Sequence, residues 1–318
     1  GKKTLLVDAN MNAGHIAWRL GIKELADRNN IVHLANDYKL NGNQLTAQLL
    51  AQRVVKADRY LDERTKTVEN RLDIVLGIPM VDLSVNTAIQ GRQGEQFMSD
   101  LLRMARGMYE FVVVDCGSSI NIGAHIGALS AADVVVFIVT DDVATLADNK
   151  QTMELLAVKY GIARDRFKLV VNQYSSGSNV DLKDVARVLG LPVWATVPQE
   201  QSSTLKNCGN DGKSFMLKHL DIRKNSPEIE GAMRGLFELA EGLFPPLAVQ
   251  HAFGRGDDDL RPRRIGRQRL AQDVAHPAHV IGAVDLPHRR PVAPPRRASR
   301  APPPRRPSMR HRSIARWG

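Results

Sequence analysis

Phe111-Val112-Val113-Val114-Asp115, followed by Cys116-Gly117-Ser118-Ser119, is an apolar, mostly β-branched run closed by one carboxylate and a small-residue loop. Such a run reads as a strand buried on both faces of a parallel sheet, with its acid at the C-terminal tip. Ligands of open α/β sheets bind beyond that edge. A carboxylate there, backed by small residues, suits a magnesium ion beside a nucleotide phosphate. Thr4-Leu5-Leu6-Val7-Asp8, followed by Ala9-Asn10, repeats the pattern near the start of the chain. Two aspartate-tipped strands imply a nucleotide-dependent switch.

Outward from these two runs, short Val/Ile/Leu-rich segments alternate with longer amphipathic ones. Strands are predicted at 4–8, 31–34, 72–77, 111–115, 134–140, 167–172 and 192–197. Helices are predicted at 43–57 (Leu45, Leu49, Leu50 and Val54 on one face), 93–106, 144–160, 181–189 and 228–244. Strands separated by helical segments of about 10–15 residues imply βαβ units. The expected fold class is therefore α/β, a mostly parallel Rossmann-like sheet with helices on both faces, spanning residues 1–244. In 228–244, Ile229, Met233, Leu236, Phe237, Ala240 and Phe244 share a stripe, while Glu228, Glu230, Glu238 and Glu241 face away. Acidic residues have the wrong sign for an anionic bilayer, so this helix is expected to pack on the sheet.

The net charge of +10 on 318 residues is unevenly spread. Residues 245–318 hold 16 Arg, no Lys, 5 Asp and no Glu, whereas residues 1–244 hold 28 basic and 29 acidic groups. Twelve of the 16 prolines also fall after residue 244. Such a segment cannot bury enough apolar surface to offset its ordering entropy, so a disordered basic tail is expected over 245–318. Its lack of Lys and few aromatics argue against nucleic acid as a partner. Two cysteines, Cys116 and Cys208, imply no disulfide framework and fit a reducing cytoplasm. No apolar run approaches the ~18 residues that cross a bilayer.

Taken in order, five segments resemble the MinD/ParA family of deviant P-loop ATPases, and within it the CpaE/TadZ branch that positions pilus-assembly machinery. They are Lys3-Thr4-Leu5-Leu6-Val7-Asp8-Ala9-Asn10, Phe111–Asp115, Ala132-Asp133-Val134-Val135-Val136-Phe137-Ile138-Val139-Thr140, Leu169-Val170-Val171-Asn172, and Leu191-Pro192-Val193-Trp194-Ala195-Thr196-Val197-Pro198. The resemblance covers about residues 2–244 and implies ATP and Mg²⁺ as cofactors. It places Asp115 as the Walker B metal ligand and Asp8 near the metal and the γ-phosphate. Asn10 falls where the family usually has a second aspartate that orients the attacking water, and an amide carries no charge to draw a proton. Asn172, Pro198 and Gln199 fall where the family holds the adenine. The implied partners are a second copy across the nucleotide face and an assembly-machine protein, with any membrane contact indirect and the protein cytoplasmic. Cys116, without a neighbouring base, is expected to pack rather than react.

A P-loop, G-x-x-x-x-G-K-[ST], should precede the first aspartate-tipped strand by about one helix. The chain contains none; Gly212-Lys213-Ser214 lacks the earlier glycine, with Asn207 in its place. Two readings follow. One expects a fragment that has lost its first strand, P-loop and helix, binds nucleotide poorly, and leaves a gap in the sheet. The other expects a non-catalytic localisation scaffold. Hydrolysis is open in both. A nucleic-acid-binding partition protein, resting on the Arg-rich tail, ranks third.

Overall fold

Six of the predicted strands run parallel in an eight-stranded sheet. In the computed structural model, which describes residues 3–12, 14–57, 72–175, 177–199, 203–211 and 279–285, the strands are β1 (Thr4–Ala9), β2 (Val55–Lys56), β3 (Leu72–Val75), β4 (Phe111–Cys116), β5 (Val134–Val139), β6 (Phe167–Tyr174), β7 (Val193–Pro198) and β8 (His279–Asp285). Their order is β2-β3-β1-β4-β8-β5-β6-β7. Only β2 runs antiparallel, against β3. The fold class expected from sequence is the one observed.

Helices α1 (Ile16–Arg19), α2 (Lys23–Arg28), α3 (Ile31–Leu40), α4 (Ala47–Arg53), α5 (Gly91–Arg106), α6 (Gly123–Ala131), α7 (Val143–Tyr160), α8 (Leu182–Leu189) and α9 (Thr204–Asn210) connect the strands. Alternation along β1 sorts the core into two faces. Leu5, Val7 and Ala9 pack with residues of α3, α5, α6, α7 and α8, while Leu6 packs with Ala17 of α1 and Ala26 of α2. The contact of α5 with α6 is close because Gly127 has no side chain. A Cβ there would fall 2.4 Å from the Glu95 carbonyl oxygen. Caps set the helix ends: Asp142 accepts from Thr145 N and Asp181 from Asp184 N, each at 2.8 Å. Gly161 and Gly190 then close α7 and α8 in the left-handed region.

The structure corrects three sequence expectations. Residues 31–34 are the first turn of α3, not a strand. The Asn30 side chain accepts from Val32 N and His33 N, and Ile31, Leu34, Ala35 and Tyr38 are buried at helical spacing. The helix predicted over 43–57 is shortened to α4, capped by Thr46, after which Val55–Lys56 pairs with β3. The gap expected in the sheet is filled. His279–Asp285, inside the segment expected to be disordered, runs parallel to β4 on one side and β5 on the other. Two unpaired parallel edges would leave their N–H and C=O groups unsatisfied, and Val280-Ile281-Gly282-Ala283-Val284 is a β-forming run able to serve both. The helix predicted at 228–244 and the rest of the tail lie outside the described residues. No described helix is long and apolar enough to cross a membrane.

Candidate functional site

The parallel register places Asp8 directly beside Asp115, with Ala9 beside Cys116. Both carboxylates therefore leave the sheet at its C-terminal edge, on adjacent strands about 4.8 Å apart. Asp8 is fully buried. Its Oδ2 accepts from Ile16 N at 3.1 Å, the first residue of α1, and its Oδ1 accepts from Asn10 N at 3.3 Å. Burial pushes its pKa up to about 6; the amide of Ile16 opposes the shift and the charge of Asp115 adds to it. A cation between the strand tips would relieve both burial and repulsion. Magnesium is commonly held by one or two carboxylates together with phosphate oxygens, so this pair fits a metal that arrives with a phosphate. Among the described residues no cluster of three or more His, Cys, Asp or Glu is placed to hold a metal unaided.

Asn10 sits in the loop after β1, where its Oδ1 accepts from Asn12 N at 3.3 Å. The loop after β4 passes close by: a Cβ on Gly117 would lie 2.7 Å from Asn10 Oδ1. Cys116 is buried, and burial with the charge of Asp115 pushes its thiol pKa well up, so it packs rather than reacts.

His125, on α6, fastens the two aspartate loops together and was not singled out from the sequence. Its Nδ1 lies 2.6 Å from the Ser119 carbonyl oxygen. Its Nε2 lies 2.7 Å from the Ala9 carbonyl oxygen and 3.3 Å from Met11 N. A neutral ring carries one N–H, so it donates to Ser119 while accepting from Met11, or donates to Ala9. Burial holds its pKa below the ordinary histidine value. Leucine at this position leaves the Met11 N–H and the two carbonyls without that partner. His125→Leu is expected to lower stability by about 2 kcal/mol, read as a shift of the urea midpoint, with Met11 and Ser119 amide resonances the most displaced.

The remaining predicted residues converge elsewhere on the same edge. Asn172 pairs in register with Val197, and Tyr174 with Pro198. Gln199 N donates to the Tyr174 carbonyl oxygen at 2.9 Å. Asn172, Pro198 and Gln199 line one cleft of about 530 Å³, which Arg19 of α1 and Lys206 of α9 also line. From β4 to β6 is three strand spacings, about 14 Å. An extended nucleoside triphosphate is about as long as that span.

Solved structures share this architecture. A ParA-family ATPase from Chlorobium tepidum aligns with TM-score 0.53 at 17% identity, over 75% of this chain and 86% of its own. The Aquifex aeolicus MinC:MinD complex aligns with TM-score 0.52 at 17% identity, over 84% and 88%. The fold is the ParA/MinD fold. No family model matches the chain. Sequence relatives carry MinD names. The septum site-determining protein MinD of Helicobacter pylori is 20% identical over 266 residues, 77% of this chain and 88% of its own length. MinD-like septum site-determining proteins of Chlorella vulgaris and Mesostigma viride are 26% and 25% identical, and the matched regions cover 38% and 52% of their lengths. The chain thus spans about half or less of those two relatives. On the ParA/MinD fold, the carboxylate pair and the cleft lie along one edge of the sheet.

Proposed function

We propose that the chain is a nucleotide-binding protein of the MinD/ParA kind, of the CpaE/TadZ type, serving the positioning or assembly of a cell-envelope or pilus machine in the cytoplasm. The observation that carries this reading is the shared edge. Asp8 and Asp115 stand in register at one end, and Asn172, Pro198 and Gln199 meet in one cleft a nucleotide's length away. ATP is the ligand that spans them. Bound Mg²⁺ would supply charge neutralisation for the terminal phosphate, held by Asp115 with Asp8 beside it. Asn172 and Gln199 present amide donors and acceptors to the base, and Pro198 gives it an apolar wall. The loops after β1 and β4, joined through His125, carry the change on binding to the surface where a second copy and an assembly partner dock. The Aquifex MinD was solved with MinC, an example of the fold working through a partner.

A second reading, the non-catalytic localisation scaffold, is favoured by Asn10. Its side-chain oxygen is engaged by Asn12 N, and an amide carries no charge to draw a proton from water. Calorimetry of Mg-ATP with the full chain and with Asp115→Ala separates the two. The proposed function expects binding by the wild type that Asp115→Ala weakens at least about tenfold, or about 1.4 kcal/mol. Heat absent from both titrations, with partner capture unaffected by nucleotide, leaves the scaffold.

A further inference from the structure

We infer that Arg19 and Lys206 form an anion-recognising subsite of the cleft, and that its ligand class is the nucleoside 5′-phosphate. The inference rests on the reading above that the base occupies Asn172, Pro198 and Gln199, and it assigns the cations that take the phosphate beside that base.

The first observation is charge. Arg19 and Lys206 line the cleft, and among the described residues no carboxylate does. Some described cations pair with carboxylates, Arg53 with Asp37, Lys56 with Asp73, Arg103 with Asp100 and Arg106 with Asp133, and others do not. Arg19 makes a side-chain hydrogen bond or ion pair with none of the described residues, and neither does Lys206. Two unpaired cations facing one amide-lined hollow form a field that an anion relieves. A guanidinium offers a planar fork to phosphate oxygens and an ammonium a compact point charge.

The second observation is how the cations are delivered. Asp8 accepts from Ile16 N and so fixes the start of α1; one turn later the same helix brings Arg19 to the cleft. Helix α9 packs on α1, and its Gly209 leaves room for the guanidinium. A Cβ on that glycine would lie 2.7 Å from Arg19 Nη1. The carboxylate end and the base end of the site are thus joined by one short helix whose last residue is the cation.

The third observation is the backbone of the rim. Gln173 and Ser203 line the cleft with φ of 56° and 57°, left-handed values rare for non-glycine residues. Gln173 falls in the register break between Asn172 and Tyr174. Local strain of this sort persists where the surrounding structure holds it in place. A 530 Å³ hollow is within the ordinary range for small-ligand sites.

The test is calorimetry of the full chain in low salt with adenosine, AMP and ADP, repeated on Arg19→Gln, Lys206→Gln and the double variant. Both residues are exposed, so the variants should melt like the wild type. ADP and AMP are expected to bind at least tenfold more tightly than adenosine. The double variant should erase that difference while leaving adenosine affinity unchanged. Equal affinities for adenosine and ADP in the wild type overturn the inference. ADP affinity unmoved in the double variant also overturns it and leaves the proposed function standing. No binding of any of the three sinks both.

Discussion

Gly77→Ala is expected to lose about 3 kcal/mol of stability or more, and to loosen the grip on Asp8. The loop after β3 closes over that carboxylate with bare backbone. A Cβ at residue 77 would fall 2.5 Å from Asp8 Cγ and 2.6 Å from each carboxylate oxygen. Asp8 has no room to retreat. It is fully buried, and the amides of Ile16, Asn10 and Gly77 hold it. Gly14 seals the other side, donating to the Ile78 carbonyl at 2.8 Å, and its own Cβ would lie 2.7 Å from Gly77 Cα. Overpacking in a well-filled interior costs about 1–3 kcal/mol, and more where backbone must move. Urea unfolding followed by circular dichroism measures it. Gly107→Ala is the control: its φ is −79°, and an added Cβ meets only the Met104 oxygen at 3.5 Å. That variant should stay within about 0.5 kcal/mol of the wild type. Equal midpoints for both variants would show that the loops do not close on Asp8 as described.

The second large effect is one of pH. Asp8 titrates near 3.8 in the unfolded chain and at about 6 in the folded one. Between those values the folded state holds a proton that the unfolded state has released. Stability from this group is therefore greatest at low pH, falls as pH rises from about 4 to about 6, and stays low above that. Two pKa units correspond to about 3 kcal/mol. His125 acts in the opposite sense over an overlapping range, because its depressed folded value makes stability fall on acidification below 6.5. Asp100, held below its ordinary carboxylate value chiefly by the hydrogen bond from the Tyr38 hydroxyl set against burial, acts only below about pH 4. The difference between wild type and Asp8→Asn isolates the aspartate. In chelator-free and chelator-containing buffer alike, without nucleotide, the wild type should lose about 2 kcal/mol relative to the variant between pH 4.5 and 7. Parallel profiles would mean that Asp8 stays ionised throughout.

How much of this was legible in the chain depended on how each element is buried. Strands β1, β4, β5 and β6 lie inside a parallel sheet, so each reads as a largely apolar run. Ile31-Val32-His33-Leu34 reads the same way, and only the Asn30 cap turns it into a helix. Helix α6 went unread because Gly123–Ala131 is small and apolar on every side and buried nearly throughout, with no polar stripe to mark a period. His279–Asp285 was hidden by its surroundings. The Arg/Pro composition of the tail outweighed a short β-forming segment within it. At the site, Asp8 and Asp115 could be read because strand ends announce themselves. Asn172, Pro198 and Gln199 rested on a resemblance of order, and the cleft does gather them. His125 could not be read. Its partners are main-chain carbonyls, one of them 116 residues away, and a carbonyl leaves no mark in a sequence. Arg19 gave no signal for a similar reason, since only the packing of α1 against α9 brings it to the cleft.

The placement of β8 sets a timetable for biosynthesis. β4 and β5 are neighbours in sequence, yet the strand that joins them is translated long after both. At ordinary elongation rates of about 5–20 residues per second, the ribosome takes on the order of ten seconds to travel from β5 to β8. Until then the nascent sheet is two half-sheets, each with a raw edge where the other should begin. Chaperone occupancy and proteolytic loss should therefore concentrate in that interval, and slowing the ribosome between the codons for Val139 and His279 should lower the yield of native protein more than slowing it anywhere before.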